Sequence, residues 1–177
     1  MAQIIFITGG ARSGKSTFAE KRAAEFGVNL GYLATAQALD GEMEERVKLH
    51  QQRRGAEWHT IEEPIRLTEA LTGCDGQHQV ILVDCVTLWL SNLMFFYEDT
   101  AKPCEEPIDT DLQVLKRTLH RMVTPVILVS NEVGMGIVPE NKLARQFRDI
   151  AGRTNQFLAA LANEVHVVIS GIPLKLK

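Results

Sequence analysis

The chain has 177 residues, 45% hydrophobic and 23% charged, proportions that suit one globular domain and exclude a disordered or fibrous chain. Its 19 basic and 22 acidic residues leave a formal net charge of −3, so no overall basic character points to a nucleic-acid partner. No apolar run approaches the roughly 18 residues of a membrane span, Met1-Ala2-Gln3-Ile4 lacks the basic start of a secretory signal, and Cys74, Cys85 and Cys104 fall in no CxxC spacing. These features predict a reduced, cytoplasmic protein with no disulfide framework and no cysteine zinc site.

Apolar, β-branched runs alternate with helix-like stretches along a single domain, 1–177. A buried strand is predicted over 3–8, a helix over 15–26 and a second strand over 29–35. Residues 42–53 have helical spacing, with Met43, Val47 and His50 at i, i+4 and i+7. Val80–Asp84 is the clearest buried strand, Val-Ile-Leu-Val closed by an acid. The stretch 88–96, Leu-Trp-Leu-Ser-Asn-Leu-Met-Phe-Phe, is apolar nearly all round and needs burial in a core or against a partner. Residues 98–109 carry two prolines and five acids and read as a solvated excursion. Further strands are predicted over 126–130 and 165–170. Between them, Leu143, Phe147, Ile150, Thr154, Leu158 and Leu161 repeat on one helical face. Continuous apolar strands separated by helices predict an α/β fold with a mostly parallel sheet flanked by helices. The loop 131–141, with Gly134, Gly136 and Pro139, follows a strand, the position at which such sheets bind ligands.

Gly9-Gly10-Ala11-Arg12-Ser13-Gly14-Lys15-Ser16 matches G-x-x-x-x-G-K-[ST] in full. Each residue type has a physical task. Glycines let backbone amides approach phosphate oxygens, and the helix starting near Lys15 turns its positive end to the anion. Lys15 supplies a charge to the outer phosphates, and the Ser16 hydroxyl is a ligand for Mg²⁺. The motif follows a strand and opens a helix, which predicts a P-loop NTPase-like fold. Asp84, at the end of its strand, is a second candidate for Mg²⁺, the alternative being a plain strand-end cap.

A GTP-driven switch is disfavoured. Asp84 is followed by Cys85-Val86-Thr87, without the glycine of D-x-x-G, and Asn141-Lys142 by Leu143-Ala144, without the aspartate of N-K-x-D. A small-molecule kinase or nucleotidyltransferase remains in front, with a nucleotide-dependent regulatory protein as the alternative outside enzymes. On a helix over 42–54, Arg46, Arg53 and Arg54, at i−4, i+3 and i+4, border His50. Neighbouring guanidinium charge lowers a histidine pKa and keeps a ring lone pair available. That suits a nucleophile at phosphorus, and the bland alternative is a structural histidine. His59, His78, His120 and His166 lack such arginines and are read as structural.

With these residues in hand, the chain resembles the bifunctional adenosylcobinamide kinase / adenosylcobinamide-phosphate guanylyltransferase family of cobalamin biosynthesis. The matches run from the phosphate loop through Arg46, His50, Arg53-Arg54, Trp58 and Glu62-Glu63-Pro64 to Val83-Asp84-Cys85-Val86-Thr87-Leu88-Trp89-Leu90-Ser91-Asn92. They continue in Ser130-Asn131-Glu132-Val133-Gly134-Met135-Gly136-Ile137-Val138-Pro139, Arg145-Gln146-Phe147-Arg148-Asp149 and Gly152-Arg153-Thr154-Asn155-Gln156. The phosphate loop is shared by many families; the Asn-Glu-Val-Gly-x-Gly-Ile-Val-Pro stretch is far more specific.

The resemblance implies a kinase that phosphorylates adenosylcobinamide with ATP or GTP. It also implies a guanylyltransferase that passes GMP from GTP through a histidine to adenosylcobinamide phosphate. The guanylylated histidine falls on His50. The family's nucleotide contacts fall on Gly9 to Ser16, on Ala34, Thr35 and Ala36, on Gln51, Gln52, Arg53 and Arg54, on Glu62 and on Asp84. Leu49 stands where some members carry a second histidine, and Gln51 where an arginine is frequent. The resemblance further implies a homotrimer. Asn131, Glu132, Arg145, Arg148 and Arg153 are assigned either to the corrinoid side or to the subunit interface.

Overall fold

In a computed structural model of the chain, residues 2–36, 55–98 and 103–177 are described. The helix expected over 42–53, with His50, lies outside them. The elements in chain order are β1 (Ile4–Gly9), α1 (Lys15–Ala24), β2 (Leu30–Ala34), β3 (Trp58–Glu62), α2 (Leu67–Cys74), β4 (Val80–Asp84) and α3 (Val86–Phe96). They continue with α4 (Glu105–Arg121), β5 (Val126–Asn131), α5 (Lys142–Leu161), β6 (Glu164–Ile169) and β7 (Ile172–Lys175).

The strands form one seven-stranded sheet in the order β3-β2-β4-β5-β1-β6-β7. Every pairing is parallel except the β6–β7 hairpin. The central strands carry unbroken apolar runs, polar only toward their carboxyl ends, because both faces are covered. Ile5, Ile7, Val80, Leu82, Ile127 and Val129 pack on one face with Ala19 and Ala23 of α1. Ile4, Phe6, Ile81, Val83, Val126 and Leu128 face the other way, onto α2, α3, α4 and α5. The period-two alternation of strand side chains divides each apolar run between two cores. Full burial of each such side chain contributes about 1.5–3 kcal/mol.

The expected strands and the helices over 15–26 and 143–161 are found with shifts of one or two residues at their ends. The apolar stretch 88–96 lies within α3, whose Trp89, Leu90, Leu93 and Met94 are buried, while Phe95 and Phe96 at its end are 62% and 60% exposed. The expectation for 98–109 needs correcting, because its second part is the first turn of α4. Pro107 is tolerated there, since the first turn has no intrahelical partner for its missing N–H. Glu105 and Glu106 meet the positive end of the helix dipole. Ile108, Leu112, Leu115 and Leu119 then line the buried face.

The hairpin between β6 and β7 turns on Ser170 and Gly171, both at positive φ (52° and 82°), the backbone of a type I′ turn. The Gly171 amide donates to the Ser13 carbonyl at 2.8 Å. On the opposite side, the Glu132 amide donates to the Gly9 carbonyl at 2.9 Å. The turn between β1 and α1 is thus held at both ends by the neighbouring strands β6 and β5.

Candidate active site

That turn carries the glycine-rich motif, and its glycines are required for different reasons. A Cβ on Gly9 would stand 2.4 Å from the Val168 carbonyl oxygen and 2.7 Å from Ser13 Oγ. Gly14 caps α1 at φ 94°, in the left-handed region that disfavours side chains. Gly10 is exposed and has open space where a Cβ would sit. The Lys15 side chain is buried, and its Nζ donates to the Gly10 carbonyl at 3.0 Å. The ammonium is therefore folded back over the loop it serves. Ser16 is half-buried in the first turn of α1, and Arg12 is exposed at the loop's tip with φ 56°.

Asp84 ends β4 at the same edge of the sheet, beside Ala34 of β2 and Val129 of β5 in register. One strand, β5, separates it from the phosphate-loop strand β1, a lateral separation of about 10 Å at normal strand spacing. Tyr32 Oη donates to Asp84 Oδ2 at 3.0 Å. Asp84 Oδ1 makes no hydrogen bond to a described residue, and the described residues contain no cluster of three or more His, Cys, Asp or Glu. One carboxylate oxygen and one serine hydroxyl do not make an all-protein cage. They suit Mg²⁺, which keeps water and substrate phosphates in its shell.

A buried polar network that the sequence reading did not assemble runs past Asp84 from the end of β2 to β5. Thr35 is fully buried; its hydroxyl donates to the Cys85 carbonyl at 2.8 Å and accepts from the Cys85 amide at 2.9 Å. Its backbone is also engaged, the amide with the Asp84 carbonyl and the carbonyl with Asn92 Nδ2. Asn92 Nδ2 also reaches the Pro64 carbonyl at 3.0 Å, and Trp89 Nε1 donates to the Ile65 carbonyl at 2.8 Å. Together these bonds hold the segment after β3 against α3. Ala34 and Ala36, on either side of Thr35, are half-buried.

The network continues through α3 to β5. Thr87 Oγ1 lies 2.9 Å from Cys85 Sγ and accepts from Asn131 Nδ2 at 2.7 Å and from the Asn131 amide at 3.3 Å. Asn155 Nδ2 of α5 donates to the Asn131 carbonyl at 3.1 Å, and Ser130 Oγ donates to Asn155 Oδ1 at 2.7 Å. Burial pushes the Cys85 thiol up, and the negative charge of adjacent Asp84 adds to this, so it stays protonated at neutral pH. Polar residues at the ends of apolar strands were the available signal: Ser130 and Asn131 follow Val-Ile-Leu-Val, and Thr87 lies three residues past Asp84.

The structure therefore brings Gly9, Gly10, Ala11, Arg12, Ser13, Gly14, Lys15 and Ser16 together in one loop, and sets Ala34, Thr35, Ala36, Glu62 and Asp84 along the carboxyl edge of β2, β3 and β4. Glu62 is exposed at the end of β3, level with Ala34. His50, Gln51, Gln52, Arg53 and Arg54 lie outside the described residues. Of the other histidines, His166 is buried and donates from Nε2 to Glu164 at 2.6 Å, a carboxylate that also takes Arg22 Nη2 at 2.9 Å. Arg145 ties the loop after β5 to α5 through the Pro139 and Glu140 carbonyls, at 2.9 and 2.6 Å.

A mostly parallel sheet with helices on both faces, and a glycine-rich loop leading from an interior strand into a helix, defines a P-loop NTPase-like protein. The chain belongs to the cobinamide kinase / cobinamide phosphate guanyltransferase family, whose sequence profile matches residues 5–176. It is 46% identical to the bifunctional adenosylcobalamin biosynthesis protein CobU of Escherichia coli, over 98% of this chain and 99% of that one. It is 45% identical to the protein of the same name from Salmonella typhimurium, with the same coverage. The bifunctional adenosylcobalamin biosynthesis protein CobP of Pseudomonas aeruginosa is 43% identical, over 97% of this chain and 95% of that one. At this similarity over the full length, the chain is an enzyme of that family. No helix among the described residues is long and apolar enough to cross a membrane.

Proposed function

We propose that this enzyme catalyses two successive transfers onto one corrinoid. In the first, the aminopropanol hydroxyl oxygen of adenosylcobinamide bonds to the γ-phosphorus of ATP or GTP. The bond from that phosphorus to the bridging oxygen breaks, and the nucleoside diphosphate leaves. In the second, a ring nitrogen of His50 bonds to the α-phosphorus of GTP and pyrophosphate leaves. A phosphate oxygen of adenosylcobinamide phosphate then displaces the imidazole, giving adenosylcobinamide-GDP. A covalent intermediate divides one transfer between two bulky anions into two displacements.

The observation that carries this reading is the phosphate loop, with Lys15 folded over Gly10, in a chain matched end to end by bifunctional relatives. The loop amides and Lys15 bind the triphosphate; Arg12 is free to close on it from the tip. Ala34, Ala36 and Glu62 line the edge for the rest of the nucleotide, with Gln51, Gln52, Arg53 and Arg54 beside His50. Ser16 and Asp84 would hold Mg²⁺, whose contribution is to neutralise charge on the phosphate oxygens. The exposed Phe95 and Phe96 at the end of α3 and the exposed Ile172 and Leu174 on edge strand β7 support self-association, which we take to be the homotrimer that the family resemblance implies. We place the protein in the cytoplasm.

The test is turnover of cobinamide with ATP and then with GTP, following both the phosphorylated and the guanylylated corrinoid. The wild type should make both, and Lys15→Ala should reduce phosphorylation by about 10²-fold or more. A wild type that makes only the phosphate would be a plain P-loop kinase in which His50 is structural. One that binds nucleotide and makes neither product would be a nucleotide-dependent regulatory protein.

A further inference from the structure

We propose that Asn131 Oδ1 accepts a hydrogen bond from the hydroxyl of the alcohol to be phosphorylated and fixes that oxygen for attack on the γ-phosphorus. The inference rests on the kinase reading above and extends it to a residue of β5. Asn131 is the last residue of the strand between β1 and β4, in register with Gly9 at the head of the phosphate loop. It therefore stands between the loop and Asp84, at the edge from which the γ-phosphate is approached.

The rest of Asn131 is fully committed. Its Nδ2 donates to Thr87 Oγ1 at 2.7 Å and reaches Cys85 Sγ at 3.6 Å. Its amide donates to Thr87 Oγ1, and its carbonyl accepts from Asn155 Nδ2. The collar that holds it is buried, with Thr87 3%, Cys85 5%, Asn155 7% and Ser130 0% exposed. Oδ1 is the exception: it makes no hydrogen bond to a described residue and is not fully buried. A carboxamide pinned by its nitrogen presents its oxygen in a fixed direction. That oxygen only accepts hydrogen bonds, so phosphate oxygens cannot be its ligand. It takes an O–H or N–H, and the kinase reaction supplies one in the acceptor alcohol.

The step balances as an ordinary phosphoryl transfer. The alcohol oxygen bonds to the γ-phosphorus and the nucleoside diphosphate departs. The alcohol proton, oriented but not taken by the amide, passes to water as the ester forms. Asn131 contributes position, since alignment of reacting atoms is worth large factors in rate. In the guanylyl transfer the acceptor is an ionised phosphate oxygen with no proton to donate. The two activities therefore separate the proposal from a structural role.

The test measures both activities on Asn131→Ala, Thr87→Val and Thr87→Ser, with cobinamide, ATP and α-labelled GTP. For Asn131→Ala we expect kcat for cobinamide phosphorylation to fall about 10²-fold, with KM for ATP and the labelling of the protein by GTP unchanged. Thr87→Val frees the carboxamide to rotate and should lower the same kcat by about tenfold; Thr87→Ser restores the hydroxyl and the rate. Wild-type phosphorylation by Asn131→Ala would overturn the proposal, as would an equal loss of both activities, which would make Asn131 a structural residue. If the wild type itself leaves cobinamide unphosphorylated, the kinase reading fails and takes this inference with it.

Discussion

A single added methyl group tests the phosphate loop's construction. At Gly9 the methyl would press into the Val168 carbonyl, part of a core strand that cannot give way cheaply. At Gly10 it would meet open space. Gly9→Ala should therefore lose about 1–3 kcal/mol, read as a lowered thermal midpoint. Gly10→Ala should keep the wild-type midpoint, and equal midpoints for the two variants would contradict this account. The motif itself was fully legible in the sequence, because phosphate binding constrains residue types at fixed spacing. The braces around it were not: Glu132 and Gly171 act through backbone amides, which carry no residue signature, and they come from distant strands. Asp84 was legible as a strand-end acid, while its partner Tyr32 was hidden in β2, where an aromatic reads only as a core residue.

Elements differed in legibility for physical reasons. β4 and β5 were plain because a strand buried on both faces carries an unbroken apolar run, here Val-Ile-Leu-Val in each. β3, at the edge of the sheet, reads Trp-His-Thr-Ile-Glu, half polar, and shows no such run. β7 is four exposed residues. The start of α4 was masked by Pro107 and its acids, although Ile108, Leu112, Leu115 and Leu119 already kept helical spacing. The β6–β7 corner offers a test at this scale. Burial opposes ionisation of Glu164, but its bond from His166 and the charge of Arg22 outweigh that and hold its carboxyl below the ordinary value of 4.5. Lys175 Nζ lies 3.7 Å from its other oxygen. A depressed folded-state pKa stabilises above the unfolded value and loses that contribution as pH falls through the folded one. Wild type should thus be more stable than Glu164→Gln at neutral pH, and the gap should close on acidification below 4.5. A gap independent of pH would contradict the assignment.

At the scale of the whole molecule, the sheet order places β5 between the phosphate-loop strand and Asp84, so that the glycine-rich loop, Asn131 and Asp84 share one edge. Alternation of strands and helices made the α/β architecture legible. The strand order was not, since it depends on which crossovers the packed helices permit. The exposed phenylalanines at the end of α3 were foreshadowed by an apolar stretch too continuous for one face. His50 is proposed only from its neighbouring arginines and the resemblance they support, and the account depends on it most. The most direct measurement mixes the protein with Mg²⁺ and GTP labelled at the α-phosphate, then follows the label on the denatured chain. The account predicts an acid-labile, base-stable adduct, the signature of a phosphoramidate, that is absent from His50→Ala. Label that persists in His50→Ala, or folded protein that binds GTP and carries no label, would contradict it.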